Sequence, residues 1–199
     1  MKKSGRISRW LIPVFTFIVL FGLSIGCGDQ ESQKKAKEEK ANAEKLKTAV
    51  KQIVEEAWNK GNLDVLDNII AEGYVYHIPP YPDAKGLEAY KERIKNYRGS
   101  YPDFKLVVDG EIIIQGNQVA LRWIITGTHT QPIPSIPIPP TGKKIVLTGC
   151  DVSHWKDGKC IEEWNHADFL GYMKQFGFKM VPPQVETEEE DAAKETEEK

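Results

Sequence analysis

The chain has 199 residues, 40% of them hydrophobic, and a formal net charge of −2 at pH 7. So small a charge offers no general attraction to a polyanion, which sets nucleic acid aside as a partner. No His/Cys spacing resembles a zinc site, so no metal is expected.

In chain order, Lys2, Lys3, Arg6 and Arg9 precede an apolar run that ends in Leu23, Ser24, Ile25, Gly26 and Cys27. A basic stretch, an apolar stretch and small residues before a break are the three parts of an export signal. The ending resembles a bacterial lipobox, which implies a signal peptide over 1–26, lipidation at Cys27 and an extracytoplasmic, membrane-anchored lipoprotein of the cell envelope. The alternative is an uncleaved membrane helix. Its apolar stretch, broken by Pro13 and Gly22, is short against the roughly 20 residues a bilayer demands. Residues 27–46 are charged, rich in helix formers and without an apolar stripe, so they read as a solvated tether with nascent helicity. Residues 184–199 form an acidic tail of similar character. The folded domain is expected over 47–183.

Inside it, Val50, Ile53, Val54, Ala57 and Trp58 share one helical face, with Gly61 as the stop. Asn62 is expected to cap a second short helix burying Leu63, Leu66 and Ile70. Leu87, Tyr90, Ile94 and Tyr97 mark a third. Strand patterns follow at 104–115, 118–129, 143–155 and 159–168, with Gly116-Asn117 and Asp157-Gly158 as tight turns. A last short helix covers 169–176. Helices followed by long antiparallel strands predict an α+β domain with helices on one face of a strongly curved sheet, whose concave side would hold the site.

A two-residue turn at Asp157-Gly158 pairs Trp155 with Cys160, Ser153 with Glu162, Asp151 with Trp164, Gly149 with His166 and Leu147 with Asp168. Side-chain alternation then puts these residues on one face. Two tryptophans are unusual on a wet surface and three carboxylates in a dry core, so the face suits a ligand cavity. Asp151, Trp155, Glu162, Trp164 and His166 are therefore candidate ligand contacts. A bulge in the hairpin would invert the parity beyond it. The register also holds Cys150 and Cys160 on the order of 16 Å apart, which predicts free thiols.

The run from 57 to 67, Tyr74 to His77, Tyr101 to Phe104, Gly127 to His129, the proline-rich loop ending at Gly142, Thr148 to Asp151, Asp157 to Trp164 and Asp168 to Gly171 come in an order resembling the SnoaL-like polyketide cyclase or ester cyclase family. That family has the cone-shaped nuclear-transport-factor-2-like fold. The resemblance covers about 50–177. It implies acid/base chemistry without metal or organic cofactor, on a small hydrophobic carbonyl compound. It puts the acid/base Asp at Asp168 and brings His77 and His129 towards the cavity, making these three the candidate catalytic residues.

Desolvation among tryptophans would raise the pKa of Asp168 and let it donate a proton to a carbonyl, with His166 or His129 assisting. The same residue is also placed to cap the final helix. Asp151 and Glu162 could form an acid/base pair or a structural pair neutralised by Arg122 or a lysine. The other functional reading is a non-catalytic anchored protein that holds a hydrophobic ligand in the same cavity, or pairs its open sheet face with another copy to form a homodimer.

Overall fold

A computed structural model of the chain describes residues 13–79, 81–134 and 138–182, with side chains from Gln30 onward. Residues 1–12, the side chain of Cys27 and the tail 184–199 lie outside the described residues, and with them most of what the export reading rests on. Helix α1 runs from Pro13 to Gln52 without a break. The segment expected to be a tether is thus helical, with i,i+4 ion pairs such as Lys35–Glu31 along its exposed surface. Leu46, only 1% exposed, already belongs to the core. Among the described residues no helix is long and apolar enough to cross a membrane.

The helix widens into a π-helical turn, Ile53–Lys60, that buries Ile53, Val54, Ala57 and Trp58 as the periodicity requires. Gly61, at φ 79°, ends it. A 3-10 turn (Leu63–Val65) and a single turn of helix, α2 (Leu66–Ile69), follow. Asn62 precedes them but makes no side-chain cap, and Ile70 starts a strand instead of completing the helix. The later elements are β1 (Ile70–His77), β2 (Ala84–Lys85), α3 (Leu87–Ser100), β3 (Lys105–Val108), β4 (Ile113–Gln115), β5 (Gln118–Thr128), β6 (Lys144–Lys156), β7 (Lys159–Ala167) and α4 (Phe169–Gln175). The strand expected over 104–115 is therefore two, parted at Gly110, where φ is 91°.

The strands form one sheet in the order β2-β1-β7-β6-β5-β3, with β4 also on β5. All pairs are antiparallel except β1 with β7. Tyr74 and Tyr76 of β1, Trp123 and Ile125 of β5, and Leu147 and Trp155 of β6 point inward and are buried. The π-helical turn and α3 cover them, and Trp58 packs against Tyr90, Tyr97 and Phe104.

The last hairpin departs from the expected register in a way that decides the site. Asp157 and Gly158 adopt φ 51° and 79°, as a type I′ turn demands, and Trp155 pairs with Cys160. Beyond that pair the register shifts: His154 opposes Glu162, Ser153 opposes Glu163, and Asp151 opposes Asn165. Ile161 is the extra residue of a β-bulge, and a bulge of one residue exchanges the faces beyond it. Glu162, Trp164 and His166 consequently do not share a face with Asp151 and Trp155. Glu163, Asn165 and Ala167 do. The thiols are free, Cys150 exposed and Cys160 buried.

Candidate functional site

The inverted parity builds a polar floor inside the cone. Asp151 of β6 and Glu163 of β7 are diagonal neighbours on the inward face, close enough that each alters the titration of the other. Asn165, 3% exposed, donates from Nδ2 to Asp151 Oδ1 at 2.6 Å. The Trp123 indole and the Tyr74 hydroxyl complete the surroundings. Neither makes a hydrogen bond of full geometry, yet each lies close enough to favour the ionised form, Trp123 at Asp151 and Tyr74 at Glu163. Trp123 reaches this position because it crosses Gly149: a Cβ there would sit 2.3 Å from Trp123 Cζ2. Only glycine leaves room for the indole at this point of β6.

Burial pushes the Asp151 carboxyl up to about 6, against opposition from Trp123, Asn165 and the charge of Arg93. Glu163 is pushed well above the usual carboxylate range, first by burial and then by the charge of Asp151. The physical content is that two carboxyls in one desolvated space cannot both ionise easily. Each therefore holds its proton to higher pH than an ordinary carboxyl, and the two titrate as a pair.

Above this floor the space divides in two. A cavity of about 60 Å³ is bounded by Asp151, Glu163, Asn165, Trp123 and Trp155. Towards the open end of the cone lies a larger, mainly apolar vestibule of about 400 Å³, between α3, α4 and the start of the proline-rich loop. Ile78, Ile133, Phe169 and Met173 supply apolar walls, and the hydroxyls of Tyr101 and Tyr172 meet at its side. Arg93 and Tyr97 border both compartments.

The residues singled out in the sequence are divided by this geometry. Asp151 and Trp155 line the inner cavity. Glu162, Trp164 and His166 do not, because of the bulge. On the outer face, His77 bonds Asp83 at 2.9 Å through Nδ1 and Glu162 at 3.0 Å through Nε2, and stacks on Trp164. Its pKa is raised, first by Glu162 and then by Asp83. His154 also reaches Glu162 there, at 3.4 Å. Arg122 pairs with Asp109, not with Asp151. His129 is fully buried behind Tyr101, its Nδ1 accepting from the Thr141 backbone N–H at 3.3 Å. Asp168 is exposed and caps α4, accepting from Gly171 N–H at 2.8 Å. Of the two roles open to Asp168, its side chain visibly performs the cap. Glu163, Asn165 and Arg93 were missed: Glu163 and Asn165 sat on the wrong side of an unseen bulge, and Arg93 sits in a charged helical stretch where a lone arginine carries no signal. Among the described residues no group of three or more His, Cys, Asp or Glu could hold a metal ion.

A family model for the SnoaL-like polyketide cyclase domain matches residues 48–176. None of the curated proteins compared is significantly similar. Among solved structures, a protein of Acidithiobacillus ferrooxidans provisionally named a polyketide cyclase is 30% identical, with a TM-score of 0.56, covering 66% of this chain and 93% of its own. IdmH of Streptomyces antibioticus, also provisionally named a polyketide cyclase, is 26% identical at a TM-score of 0.56, covering 67% and 99%. A SnoaL-like protein of a Jannaschia species, at 20% identity and TM-score 0.60 over 70% and 94%, shares the fold.

Proposed function

This chain belongs to the SnoaL-like polyketide cyclase family, and from that premise we propose that it performs cofactor-free acid/base chemistry on a small hydrophobic carbonyl compound, with Asp151 and Glu163 as the proton-transferring pair. The observation that carries the reading is the pair itself: two neighbouring carboxyls at the floor of an aromatic cavity, both raised above the usual carboxylate range by burial. The ionised member takes the proton from the carbon beside a substrate carbonyl, while the protonated member donates to that carbonyl's oxygen. The resulting enol carbon attacks a second carbonyl carbon of the same molecule, closing a ring. The new alkoxide takes a proton and the enol oxygen gives one up, so the pair ends as it began. The inner cavity admits the reacting end only, and the vestibule takes the apolar body.

Exchange of the α-hydrogens of 2-tetralone in heavy water, followed by NMR, tests the first step without knowledge of the full substrate. Asp151→Asn and Glu163→Gln are each expected to slow it about 10²–10⁴-fold. Equal exchange in the wild type and the double variant refutes the assignment. Tight binding of hydrophobic carbonyl compounds with no exchange by the wild type would favour a carrier instead.

We place this chemistry outside the cytoplasm, on the strength of the basic and apolar run before Cys27. The unbroken helix α1 would then hold the domain roughly 30 Å from the lipid, at about 1.5 Å per residue from Cys27 to Leu46. A Cys27→Ala chain should leave the membrane fraction; undiminished anchoring refutes the lipid attachment.

A further inference from the structure

Among the described residues Arg93 has a buried donor, Nε, with no hydrogen-bond partner. It projects from α3 between the two compartments and borders both. Its guanidinium carbon lies over the Tyr76 ring at 4.7 Å and over the Tyr97 ring at 5.2 Å, so aromatic faces hold the cation. Ring faces engage the charge without supplying a conventional acceptor atom, which leaves N–H donors for a ligand. None of the ion pairs among the described residues involves Arg93. Asp151 and Glu163 feel its charge but do not close an ion pair with it. Burying a guanidinium without a carboxylate in direct contact is costly. The arrangement resembles half of a fork-to-fork pair whose other half is supplied from outside.

We propose that Arg93 anchors a carboxylate of the ligand, so that the site selects hydrophobic carbonyl compounds bearing an acid group over their neutral counterparts. The apolar body fills the vestibule, the carboxylate meets Arg93 at the junction, and the carbonyl is directed to the floor. A phosphate dianion suits the site less, because the acid pair beneath Arg93 carries negative charge of its own.

The inference rests on the cavity being the working site, but its readout is binding. Lost α-hydrogen exchange with acid selection intact sinks the chemistry alone, and the reverse sinks the anchor alone. Titration calorimetry on the full chain with 2-naphthylacetate and 2-naphthylacetamide decides it. The wild type should bind the acid about 10–100-fold more tightly than the amide. Arg93→Gln should abolish that preference, and Arg93→Lys should keep part of it, since an ammonium retains the charge without the fork. Equal binding of both probes by the wild type overturns the proposal, as does no binding of either, or a preference that survives in folded Arg93→Gln. Should Arg93→Gln fail to fold by circular dichroism, the wild-type comparison and Arg93→Lys still decide. Tighter binding of 2-naphthyl phosphate than of the acetate would overturn the choice of carboxylate.

Discussion

Replacing Asp151 with Asn should change how stability depends on pH, by an amount that follows from its burial. In the folded chain this carboxyl titrates at about 6 against an ordinary 3.8, chiefly because burial penalises the charged form. The folded state therefore keeps a proton that the unfolded chain gives up. A carboxyl raised in this way contributes its stability fully below the unfolded value and loses it as pH climbs through the folded one. Between pH 4 and pH 7 the loss from this group alone is about 2–3 kcal/mol. An amide does not titrate, so the variant escapes the loss. Glu163 remains in both proteins, and losing the Asp151 charge eases its own ionisation, which acts in the same direction. Urea unfolding of both proteins at pH 4, 5, 6 and 7 measures the effect as a difference of differences, free of the other titrating groups. The gap should move in favour of Asp151→Asn by about 2–3 kcal/mol over that range. Two parallel stability curves would refute the burial argument.

Three further outcomes check other parts of the structure. Asp168→Ala should lower stability by about 1 kcal/mol and Asp168→Asn by much less, because asparagine also caps; 2-tetralone exchange should persist in both, and its loss in Asp168→Asn would restore Asp168 as the acid/base. Glu162→Gln should return the His77 titration, followed by proton NMR, towards its ordinary value, since Glu162 is the first cause of the rise; an unmoved titration contradicts the outer-face placement. Gly149→Ala should cost about 1–3 kcal/mol in thermal or urea unfolding, because a Cβ would overlap the Trp123 ring, and a neutral effect would mean that the indole does not cross β6 there.

Much of the fold was legible because its signals are local. The helical face of Val50 to Trp58, the stop at Gly61 and the turn at Asp157-Gly158 depend on nearby residues, and the structure realises each. The site depended on something non-local. A bulge at Ile161 is one residue too many on one strand, and nothing in Cys160, Ile161, Glu162 and Glu163 announces it, since acids stand at both parities. Asp151 was legible because it lies on the strand that keeps its register, and Glu163 was not because it lies past the shift. The first two strands were obscured for a similar reason: Ile70 completes a helical pattern, while Tyr74 and Tyr76 are inward-facing strand residues only once β7 lies beside them. Arg93 shows its meaning only against the two tyrosines that hold it.

The coupling of the two carboxyls can be observed directly. Carbon-13 NMR of the side-chain carboxyls, assigned with Asp151→Asn and Glu163→Gln, should show the pair titrating in two linked steps, one near 6 and both above the ordinary carboxylate range. Two independent titrations near pH 4 would mean that both carboxyls meet water, and the cavity would then have no acid to offer a substrate.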